Sequence, residues 1–466
     1  MSTTHVHFNN AGASPSPPKV LDATFEHMKL ESEVGAYRAA ELACEKVERV
    51  YRSVAQLIGA GSNDGSVYNA REEIALTESA TVSWTRIFYS VLETKERELL
   101  KKRRQKEMII LVCEAEYAAN VVAAVKFARD HSELSGIKWR VIGIPSSIIT
   151  KGAARISTGT VDLDSLRSIL DGKVDGINPE SIAMICITHI PTNCHVVNPV
   201  KEIGDIIHDF NTKEESDRST IPRIFYLVDA CQSVGQRMID VKEIRCTALT
   251  ATGRKYLRGP RGTGFLYVQK NVANALEPSH IDHAAAPLVS VVSQLSNGDF
   301  VGLEAENDHG VHHTYQPGAA RFEFWEGATA ARLGLGAAID ISLAIGIEKI
   351  EFLCSKYGQM LQDRLAAMDR VNVYHYNDHE QTMCGIVTFW CNGIEASTMK
   401  EKLQQSDYKG LCFHLSVVPA TSTPLDSSRT GLGMKQLLRA SLSYFNTEDE
   451  IDLFCKALQS ILHSAE

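Results

Sequence analysis

The sequence predicts an α/β protein: a large domain on a mainly parallel seven-stranded sheet, followed by a smaller C-terminal α+β domain. Three observations carry this reading. Seven short apolar runs between Ile74 and Val268 alternate with amphipathic stretches. Most of the runs are rich in β-branched residues and continuous, which is the pattern of strands covered on both faces. After Val268 the character changes, and from about Ile347 the order reads helix, strand, strand, helix, strand, helix.

In chain order, strands are expected over 74–77, 108–113, 139–144, 182–188, 224–228, 248–251 and 264–268. Two polar stretches, 94–107 and 212–220, read as surface insertions. Residues 282–316, with many Gly, Asn, Asp and His, read as a loop, and 328–345 as a long helix rich in Ala and Leu. A closing helix is expected over 448–462, with Thr447 as N-cap and Glu450 completing a capping box. The expected organisation is a large domain over 16–285, a loop and connecting helix over 286–346, and a small domain over 347–466 joined by the N-terminal segment 1–15.

Composition narrows the function. The chain has 466 residues, 44% hydrophobic and 23% charged. This excludes disordered, collagen-like and coiled-coil classes and is long enough for a core that needs no disulfide or structural metal. The net charge of −9 lacks the basic footprint of a nucleic-acid binder. The cluster Lys101-Lys102-Arg103-Arg104 is broken by Glu96, Glu98 and Glu107 around it, so it reads as a solvated helix face. Eleven cysteines without a Cys-x-x-Cys pair read as reduced thiols of a cytoplasmic protein. No apolar run reaches the roughly 20 residues of a membrane span, residues 1–10 hold no signal-peptide core, and neither membrane nor nucleic acid is expected as a partner. His309, His312 and His313 have no carboxylate or Cys spacing beside them, so they read as part of a mobile loop and no metal is expected.

The strongest signal is Val228-Asp229-Ala230-Cys231-Gln232 followed by Thr252-Gly253-Arg254-Lys255. It puts an Asp at the end of one apolar strand and a Lys just after another. Ligands of open α/β sheets bind outside such strand ends. An Asp with a downstream Lys is what pyridoxal phosphate chemistry needs: the Lys holds the cofactor as a Schiff base, and the Asp pairs with the pyridinium nitrogen. Taken singly, a Lys after a strand is a surface residue, an Asp at a strand end is a helix cap, Tyr117 is core and Arg439 is a surface ion pair. Their joint occurrence in order selects the chemical reading.

With these motifs in order, from Asn9-Asn10-Ala11-Gly12 to Arg439-Ala440-Ser441 and Tyr444-Phe445-Asn446-Thr447, the sequence resembles the class V aminotransferase family of fold-type I pyridoxal phosphate enzymes, which includes the cysteine desulfurases. The resemblance implies that Lys255 carries the cofactor, Asp229 pairs with the ring nitrogen and Gln232 donates to the phenolate oxygen. Thr252 and Arg254 match the phosphate-contacting pair, with Arg254 standing where many members have His. Ala80 and Thr81, in Thr77-Glu78-Ser79-Ala80-Thr81, match the turn that opens a helix under the phosphate, a natural anion site. Tyr117, in Glu116-Tyr117-Ala118-Ala119-Asn120, stands where relatives stack a His on the ring, and its π-face allows the same stacking. Thr192 falls where relatives have an Asn near the phenolate oxygen. Arg439 matches the Arg that grips the substrate's α-carboxylate, a task suited to a bidentate fork. Asn10 is placed at the substrate, and a homodimer is implied.

Within the family, the stretch Leu415-Ser416-Val417-Val418-Pro419-Ala420-Thr421-Ser422-Thr423 contains no Cys where desulfurases and selenocysteine lyases carry a mobile one. Cys412 lies earlier, in an apparent strand, and reads as a buried structural thiol. Phe8-Asn9-Asn10-Ala11-Gly12-Ala13-Ser14, Leu76-Thr77-Glu78-Ser79-Ala80-Thr81-Val82-Ser83-Trp84, Thr188-His189-Ile190-Pro191-Thr192 and Gly253-Arg254-Lys255-Tyr256-Leu257-Arg258-Gly259-Pro260-Arg261-Gly262 resemble the bacterial hercynylcysteine sulfoxide lyases of ergothioneine synthesis, and in part isopenicillin N epimerase-like proteins. The implied reaction is β-elimination from a cysteine conjugate to pyruvate and ammonia, with Lys255 as general base. A sulfenate leaves more readily than a thiolate, so a sulfoxide substrate needs no Cys to assist. Transaminase, epimerase and desulfurase are the alternatives. A trimethylated histidine tail would favour an aromatic box, for which Tyr37, Trp84, Phe324 and Trp325 are the candidates. Relatives also place an adjacent Gly-Thr pair of the neighbouring subunit on the phosphate. Here that stretch reads Phe324-Trp325-Glu326-Gly327-Ala328-Thr329.

Overall fold

The structure, a computed structural model, describes residues 4–61, 68–102, 107–151, 154–213, 220–291, 294–295, 301–302, 311–375, 383–405 and 410–464. Strand β1 (Thr4–His7) precedes helices α1 (Pro18–Val34), α2 (Ala36–Leu42) and α3 (Cys44–Leu57). The large unit continues β2 (Ile74–Thr77), α4 (Ala80–Lys102), β3 (Glu107–Cys113), α5 (Ala118–Ser135), β4 (Lys138–Ile144), β5 (Ser146–Lys151), β6 (Ala154–Val161) and α6 (Leu163–Leu170). It closes with β7 (Ile182–Thr188), α7 (Val200–Thr212), β8 (Phe225–Asp229), α8 (Val241–Ile244), β9 (Ala248–Thr252), β10 (Gly264–Val268) and α9 (Lys270–Ala275).

Seven of these strands form one sheet in the order β2-β10-β9-β8-β7-β3-β4. Only β10 runs antiparallel to its neighbours within it. The seven expected runs are these seven strands, to within a residue at either end. Continuous apolar sequence is required because alternate residues enter two different cores. Ile109, Leu111, Ile185 and Val228 pack with α3, α6 and α7, while Ile110, Val112, Met184 and Leu227 pack with α4 and α5. Each such buried side chain contributes about 1.5–3 kcal/mol, which offsets the cost of the buried charges at the sheet's edge described below.

The polar stretch 94–107 is not a surface insertion as expected. Through Lys102 it is the last part of α4, and Lys95 and Glu96 are buried. Lys95 Nζ donates to the carbonyls of Pro222 and Arg223 at 2.8 and 2.6 Å. Glu96 accepts from Trp139 Nε1 at 2.9 Å. Partners far along the chain turned two charged residues inward, which local polarity cannot reveal. Of the second stretch, 214–219 lies outside the described residues.

The expected loop 282–316 also contains paired backbone. Strand β11 (Leu288–Val291) pairs antiparallel with β14 (Val311–His313), and β12 (Gln294–Leu295) with β13 (Val301–Gly302). His309 lies outside the described residues. Helix α10 (Thr329–Ile345) packs against α1 and α3 and leads to α11 (Ile347–Ala366). The remainder is β15 (Val371–Val373), β16 (Ile386–Cys391), α12 (Ala396–Gln405), β17 (Leu411–His414), β18 (Ser416–Pro419), α13 (Pro424–Arg429), β19 (Gln436–Ser441) and α14 (Glu448–His463). A four-stranded antiparallel sheet in the order β15-β16-β19-β18 shares a core with α11, α12 and α14. Thr447 and Glu450 form the expected capping box.

The N-terminal segment joins this second unit. Strand β1 pairs parallel with β17, and Phe8 N donates to the His414 carbonyl at 2.8 Å. Cys412 lies on β17, half-buried rather than fully buried as expected. All eleven cysteines are free. Among the described residues, no single helix is long and apolar enough to cross a membrane.

Candidate active site

A cavity opens at the carboxyl ends of the central strands, lined by Ser79, Ala80, Thr81, Tyr117, Thr188, Ile190, Thr192, Asp229, Cys231, Gln232, Thr252, Arg254 and Lys255. Strands β7, β8 and β9 lie side by side, so residues that end them or follow them meet at one point although the chain separates them.

Asp229 ends β8 and is buried. Its Oδ1 accepts from Cys231 N and its Oδ2 from Asn120 Nδ2, both at 2.9 Å. Burial raises its pKa, while these two donors and the positive charge of Lys255 hold it down. Lys255 is also buried. Loss of water lowers its pKa, opposed by Cys231 and Asp229 and reinforced by Arg254 and Arg439. A lysine depleted of its proton is a nucleophile toward an aldehyde and a base toward a C–H proton.

At one end of the cavity, Ser79 caps α4 through its Oγ, which accepts from Val82 N at 3.2 Å. The first-turn residues Ala80 and Thr81 face the cavity, where the helix dipole and free N–H groups favour an anion. Gly264 makes this approach possible. A Cβ there would lie 2.6 Å from the Ser79 carbonyl carbon and 2.9 Å from Ala80 N, so any side chain would push the turn off the sheet. Thr252 Oγ1 donates to the Thr263 carbonyl at 3.1 Å, which leaves its lone pairs toward the cavity. Arg254 donates to the Gly12 carbonyl, and Ser14 N donates to the Arg254 carbonyl at 2.9 Å. The N-terminal segment is thereby clamped to the loop that carries Lys255.

Thr192 links the large-domain wall to the small one. Its Oγ1 accepts from Gln232 Nε2 at 3.2 Å and from Arg439 Nη1 at 2.8 Å. Gln232 Nε2 also donates to the Ala11 carbonyl at 3.2 Å. Arg439 arrives from β19, is buried and stands just behind the cavity wall. Burial brings its pKa down to about 10, so it stays cationic at neutral pH. Gln232 Oε1 and Arg439 Nε are buried without a partner. Tyr117 precedes α5 as its N-cap residue and is 39% exposed, with its ring on the cavity.

These groups fit pyridoxal phosphate. The α4 turn suits its phosphate, Lys255 its aldehyde, Asp229 its ring nitrogen and the Tyr117 face its ring. The unpartnered Gln232 and Arg439 atoms show polar capacity that the chain alone does not use.

Five expected substrate contacts are not made in this way. Asn10 is fully buried, with Nδ2 donating to the Ser441 carbonyl and Oδ1 accepting from Ser14, so its amide fastens the N-terminal segment instead of facing substrate. Trp84 is buried in the core, stacked on Phe88 with ring centroids 4.4 Å apart. Phe324 is covered by the Arg86 guanidinium at 3.9 Å. Tyr37, 75% exposed, lies on the surface beside the exposed Trp325. No aromatic box is formed within the chain among the described residues, because each ring is claimed by core packing, a cation or the surface.

Two residues carry more than their sequence suggested. Glu116, fully buried, accepts from Asn120 Nδ2 at 2.8 Å and from Thr188 N and Tyr117 N, each at 3.0 Å. Burial and the neighbouring Asp229 charge raise its pKa. Asn120 therefore bridges two buried carboxylates and fixes Asp229 in place. Both residues lie in the Tyr117 motif, yet their role depends on β3 and β8 flanking β7, which the motif alone does not state.

The chain matches the family model described as aminotransferase class-V over residues 6–454. It is 26% identical over 463 residues to a probable cysteine desulfurase of Methanothermobacter thermautotrophicus, covering 98% of this chain and 94% of the relative. In fold it is similar to a cysteine desulfurase of Thermococcus onnurineus, with a TM-score of 0.73, 18% identity and coverage of 98% and 95%. It is also similar to the cystine C–S lyase C-DES, solved with glycine covalently linked to its PLP cofactor, with a TM-score of 0.69, 16% identity and coverage of 97% and 96%.

Proposed function

Since the chain belongs to the class V aminotransferase family, a family of pyridoxal-phosphate-dependent enzymes that includes C–S lyases, we propose that it cleaves the Cβ–S bond of a cysteine conjugate by β-elimination, with a sulfoxide such as hercynylcysteine sulfoxide as substrate. The observation that carries this reading is the segment after β17. It has no cysteine over 415–423, and it is packed down. Asn193 Nδ2 donates to the carbonyls of Pro419 and Ala420 at 3.1 and 3.3 Å, and Arg429 pairs with Glu114. A desulfurase needs a thiol that can reach the substrate sulfur. Over 415–423 this segment offers no such thiol.

When bound, the cofactor supplies an electron sink for charge that develops at the substrate's Cα. The chain's own groups do the rest. Lys255 would hold the aldehyde covalently and, once released, take the Cα proton on Nζ. Asp229, steadied by Asn120 and Cys231 N, would keep a proton on the ring nitrogen. Gln232 and Thr192 would orient the phenolate edge, and the α4 turn, Thr252 and Arg254 the phosphate. Arg439 would grip the α-carboxylate and so set which Cα bond faces Lys255. A sulfenate accepts the departing electron pair without a protein thiol.

The test is a product assay on cofactor-loaded protein given hercynylcysteine sulfoxide, with free cysteine in parallel. Pyruvate and ammonia from the sulfoxide are expected. Alanine from cysteine would overturn the reading in favour of desulfuration, for which Cys231 is the one thiol on the cavity wall among the described residues. We also propose a cytoplasmic homodimer, supported by the exposed Tyr37 and Trp325, whose ring centroids lie 6.3 Å apart, beside the Gly327–Thr329 stretch. Light scattering after gel filtration tests the dimer.

A further inference from the structure

Away from the cofactor cavity, three side chains from distant parts of the chain converge in a buried cluster. Cys194 lies in the loop after β7, His375 follows β15 and Asp426 belongs to α13. The thiol sulfur, an imidazole nitrogen and a carboxylate oxygen lie within 4.8 Å of one another. None of the three lines the cavity. Their positions have no metal-ligand spacing in sequence, which is why only the fold brings them to notice.

The hydrogen bonding leaves this cluster incomplete. Asp426 Oδ2 accepts from Tyr374 Oη and from His375 Nε2, the latter at 2.8 Å, but Oδ1 is buried with no partner. His195 is fully buried with both ring nitrogens unpartnered, and it is near enough to His375 for their charges to oppose each other. Three orphaned polar atoms in one neighbourhood indicate a missing partner, since buried polar groups are nearly always satisfied. His375 is oriented as a ligand is: Nδ1 donates to the Ser157 carbonyl at 2.9 Å, which fixes the ring and leaves Nε2 facing Asp426, so that without a metal both ring nitrogens carry a proton. Its backbone is left-handed, φ 51°, a conformation unfavourable for a residue with a Cβ.

We propose that Cys194, His375 and Asp426 bind one divalent ion of the zinc type. A small buried set of one sulfur, one nitrogen and one oxygen donor suits Zn²⁺, whereas Mg²⁺ and Ca²⁺ take all-oxygen sets. On binding, a metal–sulfur bond replaces the S–H bond of Cys194 and that proton leaves to solvent. His375 Nε2 exchanges its bond to Asp426 Oδ2 for the metal, losing its proton to solvent as well. Asp426 Oδ1 supplies the third ligand, and water completes four. No electron changes hands. The ion would pin α13 and β15 to the loop that also carries Thr192, holding the cysteine-free segment against the large domain.

The test is elemental analysis of the cofactor-loaded protein, produced with zinc supplied and again after zinc reconstitution. About one zinc per chain is expected for the unmodified protein, falling at least about tenfold in Cys194→Ser and Asp426→Asn. Zinc below about 0.1 per chain in the unmodified protein, or zinc unchanged in both variants, overturns the proposal. If either variant misfolds, cobalt-substituted unmodified protein decides: a thiolate-to-cobalt absorption band supports the site, and a sulfur-free coordination sphere overturns it.

Discussion

On the large-domain side of the cavity, Asp229, Thr252 and Lys255 stand at or just beyond the ends of two adjacent strands, with Asp229 held by Cys231 N and Asn120 and Thr252 by the Thr263 carbonyl. On the small-domain side, Arg439 crosses from β19 to Thr192, and the segment over 415–429 combines strand β18, paired with β19, with contacts to the large domain made by Asn193, Arg429 and Asp426 N. The first wall keeps the Asp, Gln, Thr and Lys of the family's motifs at 229, 232, 252 and 255, with Tyr117, Thr192 and Arg254 as exchanges of one polar or aromatic side chain for another. The second keeps Arg439 but departs in having no cysteine over 415–423. The difference suggests a division of labour. Strand ends fix the cofactor chemistry that the whole family shares, while the small-domain wall governs what happens to the substrate's carboxylate and sulfur.

Substitutions can break or sharpen this comparison. Lys255→Ala removes both the cofactor anchor and the base, and turnover is expected to fall at least about 10³-fold. Substantial single-turnover product from that variant would remove Lys255 from its role. Asp229→Asn exchanges a charged partner of the ring nitrogen for a neutral one. The loss of about 1.5–3 kcal/mol should lower kcat by roughly 10- to 100-fold, and an unchanged kcat would show that the large-domain wall does not set the chemical step.

Arg439→Ala belongs to the other wall. It should raise KM about tenfold with a smaller change in kcat. In the unmodified enzyme, KM should stay level through neutral pH and rise as pH passes about 10, where Arg439 loses its proton and its grip. A KM profile flat through that value, with Arg439→Ala silent, would break the assignment. The smallest effect is expected for Cys231→Ala. If elimination needs no protein thiol, kcat on a sulfoxide should stay within about twofold, since a neutral contact contributes little. A collapse of turnover would instead make Cys231 a participant.

The sheet was legible because continuous apolar runs have one common explanation, and Asp229 and Lys255 were legible because strand ends announce themselves. Asn120 and Glu116 were present in a recognised motif, but their bridge to Asp229 depends on which strands are neighbours. The aromatic candidates misled because a ring near a motif satisfies core packing equally well, as Trp84 does against Phe88. Asn10 misled similarly, its amide being consumed by Ser441 and Ser14. The short ladders within 288–313 were hidden because strands of two to four residues, such as Leu288–Val291, are too short to show a period beside polar neighbours. Cys194, His375 and Asp426 were invisible because nothing local ties together residues so far apart.

The pairing of β1 with β17 has a consequence for how the protein is made. His5 and His414, which meet with ring nitrogens 2.8 Å apart, are 409 residues apart in sequence. At about 5–20 residues per second of synthesis, the first strand emerges from the ribosome roughly 20–80 s before its partner exists. The Gly12 carbonyl that receives Arg254 belongs to the same waiting segment. The strand ends that line the cavity can therefore assemble on the nascent chain, while closure of the pocket rim is postponed until β17 has been made.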